Sequence, residues 1–164
     1  MHFNSRSYYA AGPAVWISIW LAVFLFSSCS PSQKIRKANI DQVVTTAQSF
    51  RGTPYRYGGT TRSGMDCSAL LYQSFSSIGV TLPRTSADQS KIGRRVALKG
   101  LQKGDMVFFA TGKRRREVTH AGIVSSSTRG KIQFIHASTS LGVTEDDIKS
   151  DYWSKRFVMG RRVF

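Results

Sequence analysis

Residues 64–79 read GMDCSALLYQSFSSIG, and their spacing decides how the chain folds. Asp66 is a residue type that opens helices, because its carboxylate can accept from the unpaired N–H groups of a first turn. Behind it Leu70, Leu71, Phe75 and Ile78 recur at three- to four-residue intervals, the spacing of one buried helical face, and Gly79 ends the run. A helix that starts at Asp66 carries Cys67 in its first turn, where the positive end of the macrodipole favours a thiolate. Upstream lies a glycine-rich loop, TPYRYGGTTRSGM, which lets backbone approach closely but lacks the lysine and spacing of a phosphate loop. Before that loop, Ile40, Val43, Val44, Ala47 and Phe50 mark another helix, stopped by Gly52 and Pro54. Downstream, Leu82-Pro83-Arg84 leads into a short helix capped by Thr85 or Ser86, with Gln89 near the capping-box position. After Gly93 the period becomes two. Strands are predicted over 106–110, 118–125, 131–138 and 156–164, with 126–130 as a hairpin connection. Helices first and consecutive strands afterwards give an α+β fold, with N-terminal helices packed on an antiparallel sheet.

The 164 residues are 41% hydrophobic, enough for one packed core without disulfide staples. Charge is the unusual property: 24 Lys plus Arg against 9 Asp plus Glu leave a formal +15, which favours an anionic partner. The N-terminus narrows the choice of partner. Ala14–Phe26 is apolar apart from Ser18, and Ser27-Ser28-Cys29 follows it. A short apolar run ending in small residues before a cysteine resembles a bacterial lipobox, with Phe26 where leucine is usual. On that reading 1–28 is a lipoprotein signal peptide, 29–37 is a lipidated Cys29 with a basic tether, and 38–164 is the domain. The alternative is an uncleaved anchor helix, for which the run is shorter than the ~20 residues that span a bilayer. Either way the domain lies outside the cytoplasm, which argues against nucleic acid as the partner. Ser30 does not resemble an inner-membrane retention signal, so the expected location is the outer membrane, facing the periplasm. Cys67 then becomes the odd cysteine of an exported protein, a candidate reactive thiol.

Besides His2 the chain has two histidines, His120 and His136, one on each strand of the predicted hairpin. Val118, His120, Gly122 and Val124 share a face, as do Ile132, Phe134, His136 and Ser138. A register pairing Val124 with Ile132 sets His120 against His136, with Cβ atoms roughly 5 Å apart. Cys67, His120 and His136 then supply a nucleophile, a base and a group orienting the base. Two other readings of these residues stay open: a buried structural cysteine beside two core histidines, and a zinc site built on the same three side chains.

The stretch from Arg51, RGTPYRYGGTTRSGMDCSALLYQSF, resembles the nucleophile segment of the NlpC-type cell-wall cysteine peptidases. So do Leu82-Pro83-Arg84-Thr85, the run GDMVFF over 104–109, HAGIV over 120–124, FIHAS over 134–138 and the closing Arg161-Arg162-Val163. The resemblance covers nearly everything from Ile40 onward. It implies a small papain-like domain and an endopeptidase that needs no cofactor or metal, which the lipobox reading makes lipid-anchored through Cys29. Its partner is the stem peptides of peptidoglycan, cut at a γ-D-glutamyl-diamino acid bond or a D-alanyl-diamino acid cross-link. By position Cys67 is the nucleophile, His120 the general base and acid, and His136 the residue orienting His120. Tyr55 matches a tyrosine lining the site, and Asp66 and Ser68 match positions that help recognise substrate. Ala69 replaces the usual glycine, and the basic insertion Lys113–Arg116 lies outside the pattern. A non-catalytic peptidoglycan-binding lipoprotein of the same fold is the alternative.

Overall fold

A computed structural model describes residues 31–128 and 130–164. A compact unit spans Ile35–Phe164; of the other unit, Met1–Lys34, only the last four residues are described, as the first turn of a helix. The signal segment and Cys29 lie outside the described residues. No helix among the described residues is long and apolar enough to cross a membrane.

Helix α1 is Pro31–Ser49, so helix begins nine residues before the predicted Ile40 and takes up most of the stretch read as a tether. Proline suits a first helical turn, where its missing N–H has no intrahelical partner to lose. Polar residues fill the early turns and hide the helical period there. From Val43 onward the periodic face is as expected: Val43, Val44 and Ala47 are buried. A two-residue hairpin follows, β1 (Thr60–Thr61) with β2 (Gly64–Met65). Helix α2 is Cys67–Ser76, and Gly79 beyond it adopts φ +77°, the left-handed conformation that stops a helix cheaply only at glycine. Helix α3 is Ser86–Gln89, capped by Thr85, whose oxygen accepts from Asp88 N. Asp88, not Gln89, completes that cap, since the Thr85 hydroxyl also donates to its carboxylate.

The sheet consists of β3 (Arg94–Val96), β4 (Met106–Phe109), β5 (His120–Thr128), β6 (Lys131–Ser138), β7 (Gly142–Asp147) and β8 (Phe157–Arg162), with a four-residue helix α4 (Asp151–Ser154) before β8. Their order across the sheet is β3-β8-β4-β5-β6-β7, and every pair is antiparallel. One face packs against the helices: Val43, Leu70, Leu71 and Phe75 meet Met106, Phe108, Ala121, Ile123, Ile135 and Ala137. The other face buries Val107, Phe109, Val124, Phe134, Ile148 and Trp153. The alternation within Met106–Phe109 serves both cores at once, which is why all four side chains are fully buried.

The hairpin register differs from the predicted one. Val124 pairs with Phe134 rather than Ile132, and a bulge follows, so that Ser126 faces Gln133 and Thr128 faces Lys131. Ser125 is the extra residue. Next to the turn, even-numbered β5 residues face odd-numbered β6 residues. Past the bulge, even faces even. Because side chains alternate with period two, that one-residue step decides which face each histidine occupies. Without it His120 and His136 would point to opposite sides. With it both lie on the face away from α2, and continuing the register sets His136 against Gly122, diagonal to His120. There is little room beside them: a Cβ on Gly122 would lie 2.6 Å from the Phe134 ring and 2.8 Å from the Ile135 carbonyl oxygen.

Candidate active site

Asp66 builds the platform for the sulfur. Its carboxylate accepts from Ala69 N at 2.8 Å and Ser68 Oγ at 2.9 Å, capping α2, and from Gly58 N at 2.9 Å, drawing the glycine loop over the helix start. Arg84 donates to both of its oxygens, at 2.9 and 2.7 Å, and to Ser68 Oγ at 2.8 Å. Gln89, fully buried, ties α3 to the same turn by donating to the Ser68 and Pro83 carbonyls. Burial alone raises the Asp66 pKa, but Arg84, the Ala69 N–H and the Ser68 hydroxyl outweigh it and hold the carboxyl below its usual range. Ala69 is completely buried in the core, so a methyl group fits there without strain.

Cys67 is buried and unpaired. Burial pushes its thiol up to about 11, and the Asp66 charge adds to the rise. The backbone N–H groups of Ala121, Ser68 and Cys67 itself act the other way, favouring the thiolate. Ala121 follows His120 in β5, so the start of α2 and the start of β5 meet at one margin of the sheet. Tyr55 pairs with Met65 beside this turn. Burial raises its phenol pKa, followed by the charges of Cys67 and Asp66, so the hydroxyl stays protonated near the sulfur.

His120 Nε2 lies 2.9 Å from His136 Nδ1, and the rings meet edge to face at 83°. His136 Nε2 lies 3.0 Å from Asp146 Oδ2. Trp153 Nε1 donates to that same oxygen at 2.8 Å. A carboxylate can only accept here, and this sets the direction of the whole chain. His136 must carry its proton on Nε2, which leaves Nδ1 as an acceptor. His120 must then donate from Nε2, and its Nδ1 keeps a free lone pair. Aromatic rings wall the relay: Phe134 stacks on His136 at 4.8 Å, and Trp153 stacks on His120 at 5.4 Å. Burial is the first cause lowering the His120 pKa, to about 3, with His136 adding to the fall and Asp146 opposing it. Burial likewise lowers His136, against the hydrogen bond and charge of Asp146.

His120 and His136 therefore meet, while Cys67 lies beside the backbone N–H of Ala121, the residue after His120, with Tyr55 close by. Asp66 and Ser68 adjoin the sulfur, but their polar side-chain atoms are engaged with Arg84 and the helix cap. Asp146 and Trp153 are site residues that sequence reasoning missed. Asp146 sits in an acidic run, TEDD, that reads as a loop and is in fact part of β7; no local signal in the sequence marks it as a strand. The zinc reading is disfavoured by geometry, because both ring nitrogens of His136 are committed to the relay. Among the described residues no group of three His, Cys, Asp or Glu side chains is placed to hold a metal ion. A concavity of about 460 Å³ opens on the Asp146 side, lined by His120, His136, Asp146, Tyr152 and Trp153; Cys67 does not line it.

Stability should fall on acidification in two steps. His120 is held neutral, with its folded pKa below its ordinary 6.5, so its contribution is complete above 6.5 and is lost as pH falls toward about 3. Asp66 is depressed below 3.8, so its contribution is lost only below that pH. Thermal melts from pH 8 to 3 will show a declining Tm; His120→Gln will flatten the upper part of the decline and Asp66→Asn the lower part. At neutral pH Asp66→Ala will destabilise the fold by about 2–4 kcal/mol, because a helix cap is lost and Arg84 is left unpaired.

Comparison with known proteins identifies the family and its fold. The NlpC/P60 family model matches residues 52–162. The Escherichia coli protein named "Probable endopeptidase NlpC" is 42% identical over 154 residues, covering 88% of this chain and 97% of that protein. The "Murein DD-endopeptidase MepS/Murein LD-carboxypeptidase" of Escherichia coli is 36% identical over 129 residues, 76% of this chain and 65% of that protein. An NlpC/P60 family protein from Bacillus cereus superposes with a TM-score of 0.68 at 30% identity, over 76% of this chain and 40% of the other. The α+β architecture read from the sequence is thus the architecture of these structures. The family match spans the chain from the loop before Cys67 to the last strand, and includes both histidines: the chain belongs to the NlpC/P60 family.

Proposed function

We propose that this protein is a cysteine endopeptidase that hydrolyses the stem peptides of peptidoglycan, anchored to the outer membrane through a lipid on Cys29. The observation that carries the catalytic reading is the single direction of the relay, which leaves one acceptor nitrogen, His120 Nδ1, for the proton of Cys67. Burial keeps thiol and imidazole neutral at rest. When the proton passes from Sγ to Nδ1, the two new charges attract in a dry site, and Asp146 steadies the imidazolium through His136. The sulfur attacks the peptide carbonyl. Its oxygen becomes an oxyanion within reach of the backbone N–H of Cys67, and the protonated Tyr55 hydroxyl is a second donor. His120 then gives its proton to the leaving amine, and a thioester remains. Water, deprotonated by His120, attacks the thioester; the carboxylate product leaves and the thiol is restored.

The substrate class follows from the company the chain keeps: murein endopeptidases among its relatives, and a basic surface suited to carboxylate-rich stems. Both candidate bonds, γ-D-glutamyl-diamino acid and D-alanyl-diamino acid, present a carbonyl that such a nucleophile attacks. The test is digestion of purified sacculi followed by mass analysis. Released fragments whose new termini name one of these bonds support the reading. Activity should survive a chelator and end with a thiol alkylator; no release by the wild-type protein overturns the proposal. Metabolic labelling with a fatty-acid analogue, retained by the wild type and absent from Cys29→Ser, tests the anchor.

A further inference from the structure

The loop between β4 and β5 belongs to no part of this mechanism. It carries Lys113, Arg114, Arg115 and Arg116, and Arg116 is the one non-glycine residue with positive φ, 71°, among the described residues. The base of the loop is fastened next to His120: Thr119 Oγ1 accepts from Thr111 N at 2.9 Å and from Gly112 N at 3.3 Å. Beyond this clasp lies a groove of about 770 Å³ whose lining includes Lys113, Arg115, Arg116, Lys155 and Arg156 and no acidic residue.

These cations have little intramolecular compensation. Arg114 reaches Glu117 at 3.8 Å and Lys155 reaches Asp151 at 3.9 Å, both long and exposed contacts. Lys113, Arg115 and Arg116 have no acidic partner among the described residues. Arg156 is held in place, its guanidinium 3.8 Å above the Tyr152 ring and donating to the Tyr152 carbonyl at 3.1 Å. Tyr152, against which Arg156 packs, lines the concavity beside His120 and Asp146, so the two hollows adjoin through this pair. A loop shaped only to stay solvated has no reason to bring three cations to a hollow that two more, Lys155 and Arg156, already line. Guanidinium groups pair carboxylates through two parallel hydrogen bonds, and Arg156 is already oriented.

We propose that this groove is a carboxylate-binding subsite, which engages free carboxylates of the substrate peptide beyond the bond that is cut. The proposal rests on the peptidase reading, but its test separates the two. Binding is measured on the full chain carrying Cys67→Ser, which needs no turnover. The probes are a soluble stem peptide with free carboxylates and the same peptide amidated. The groove variant combines Lys113→Gln, Arg115→Gln and Arg116→Gly, the glycine suiting the positive φ. The free-carboxylate peptide should bind about tenfold more weakly to the groove variant, and raising salt should reduce that difference. The amidated peptide should bind both proteins alike. In the background with Cys67 intact, KM should rise by the same factor with kcat unchanged. Equal binding of both peptides to both proteins overturns the subsite. So does inhibition by inorganic polyphosphate together with indifference to amidation, which would make the groove a phosphate site. Lys155→Gln, outside the loop, should weaken binding in the same sense, so a collapsed loop cannot imitate the result. If sacculi are not digested yet the carboxylate preference holds, the peptidase reading fails and the subsite stands.

Discussion

With Cys67 replaced by serine, fragment release from sacculi will fall by about 10⁵-fold or more, to background. The reason is acidity. His120 is kept neutral and a weak base, its pKa lowered to about 3 by burial and by His136. A thiol raised to about 11 can still pass its proton to such a base, when the two charges formed attract each other. A serine hydroxyl is far less acidic, and the Asp66 charge beside it opposes the alkoxide further. The variant tests chemistry rather than folding, because oxygen for sulfur is a small change at a buried helix start whose cap, Asp66, is untouched. Its Tm should stay within a few degrees of the wild type. Release undiminished by the exchange would place the nucleophile elsewhere.

Asp146→Ala should lower kcat by about 10² to 10³-fold with KM little changed, because neither relay direction is then imposed on His136 and the imidazolium loses its counter-charge. Asp146→Asn should be much milder, roughly tenfold. The difference arises from Trp153. Its Nε1–H donates to the oxygen that also accepts from His136, so it holds the amide of an asparagine with its oxygen inward. The relay keeps its direction and loses only charge. Removing that donor as well, in Asp146→Asn with Trp153→Phe, lets the amide turn its NH₂ toward His136. His136 then donates from Nδ1, His120 is forced to carry its proton on Nδ1, and the lone pair meant for Cys67 is gone. The double variant should fall to the alanine level, while Trp153→Phe alone loses little. Nitrogen chemical shifts of the two imidazoles report the tautomers directly. Unchanged tautomers across the series would refute a positioning role for Asp146, whatever happens to kcat.

Much of this site is legible in the order of the amino acids. An aspartate ahead of CSALL, with apolar residues at helical spacing, puts a thiol at a helix start by local rules alone. The strands around Met106 and over Lys131–Ser138 are equally clear, because short runs rich in β-branched and aromatic residues are bounded there by glycine turns. The predicted start of α1 fails where polar residues mask the helical period. Strand β7 is hidden because Glu145, Asp146 and Asp147 look like a solvated turn; they belong to a sheet edge where Glu145 meets Gln48 and Arg51 and Asp146 meets His136 and Trp153. The partners of Glu145 lie nearly a hundred residues away and leave no local trace.

The hairpin shows the division most clearly. From the sequence alone, His120 and His136 sit at even-numbered positions of two adjacent strands, with Cys67 at the start of a helix that must cover the sheet. Whether the imidazoles meet depends on the parity of the register, and the turn by itself sets the wrong parity. The bulge at Ser125 corrects it by one residue. That choice is made by long-range packing, since both faces of β5 and β6 must fill two different cores at once. Local sequence placed Cys67, the proposed nucleophile, at the start of a helix capped by Asp66. Only the tertiary structure brought the two rings to one face, set Asp146 behind them, and so decided which nitrogen is free to take the proton.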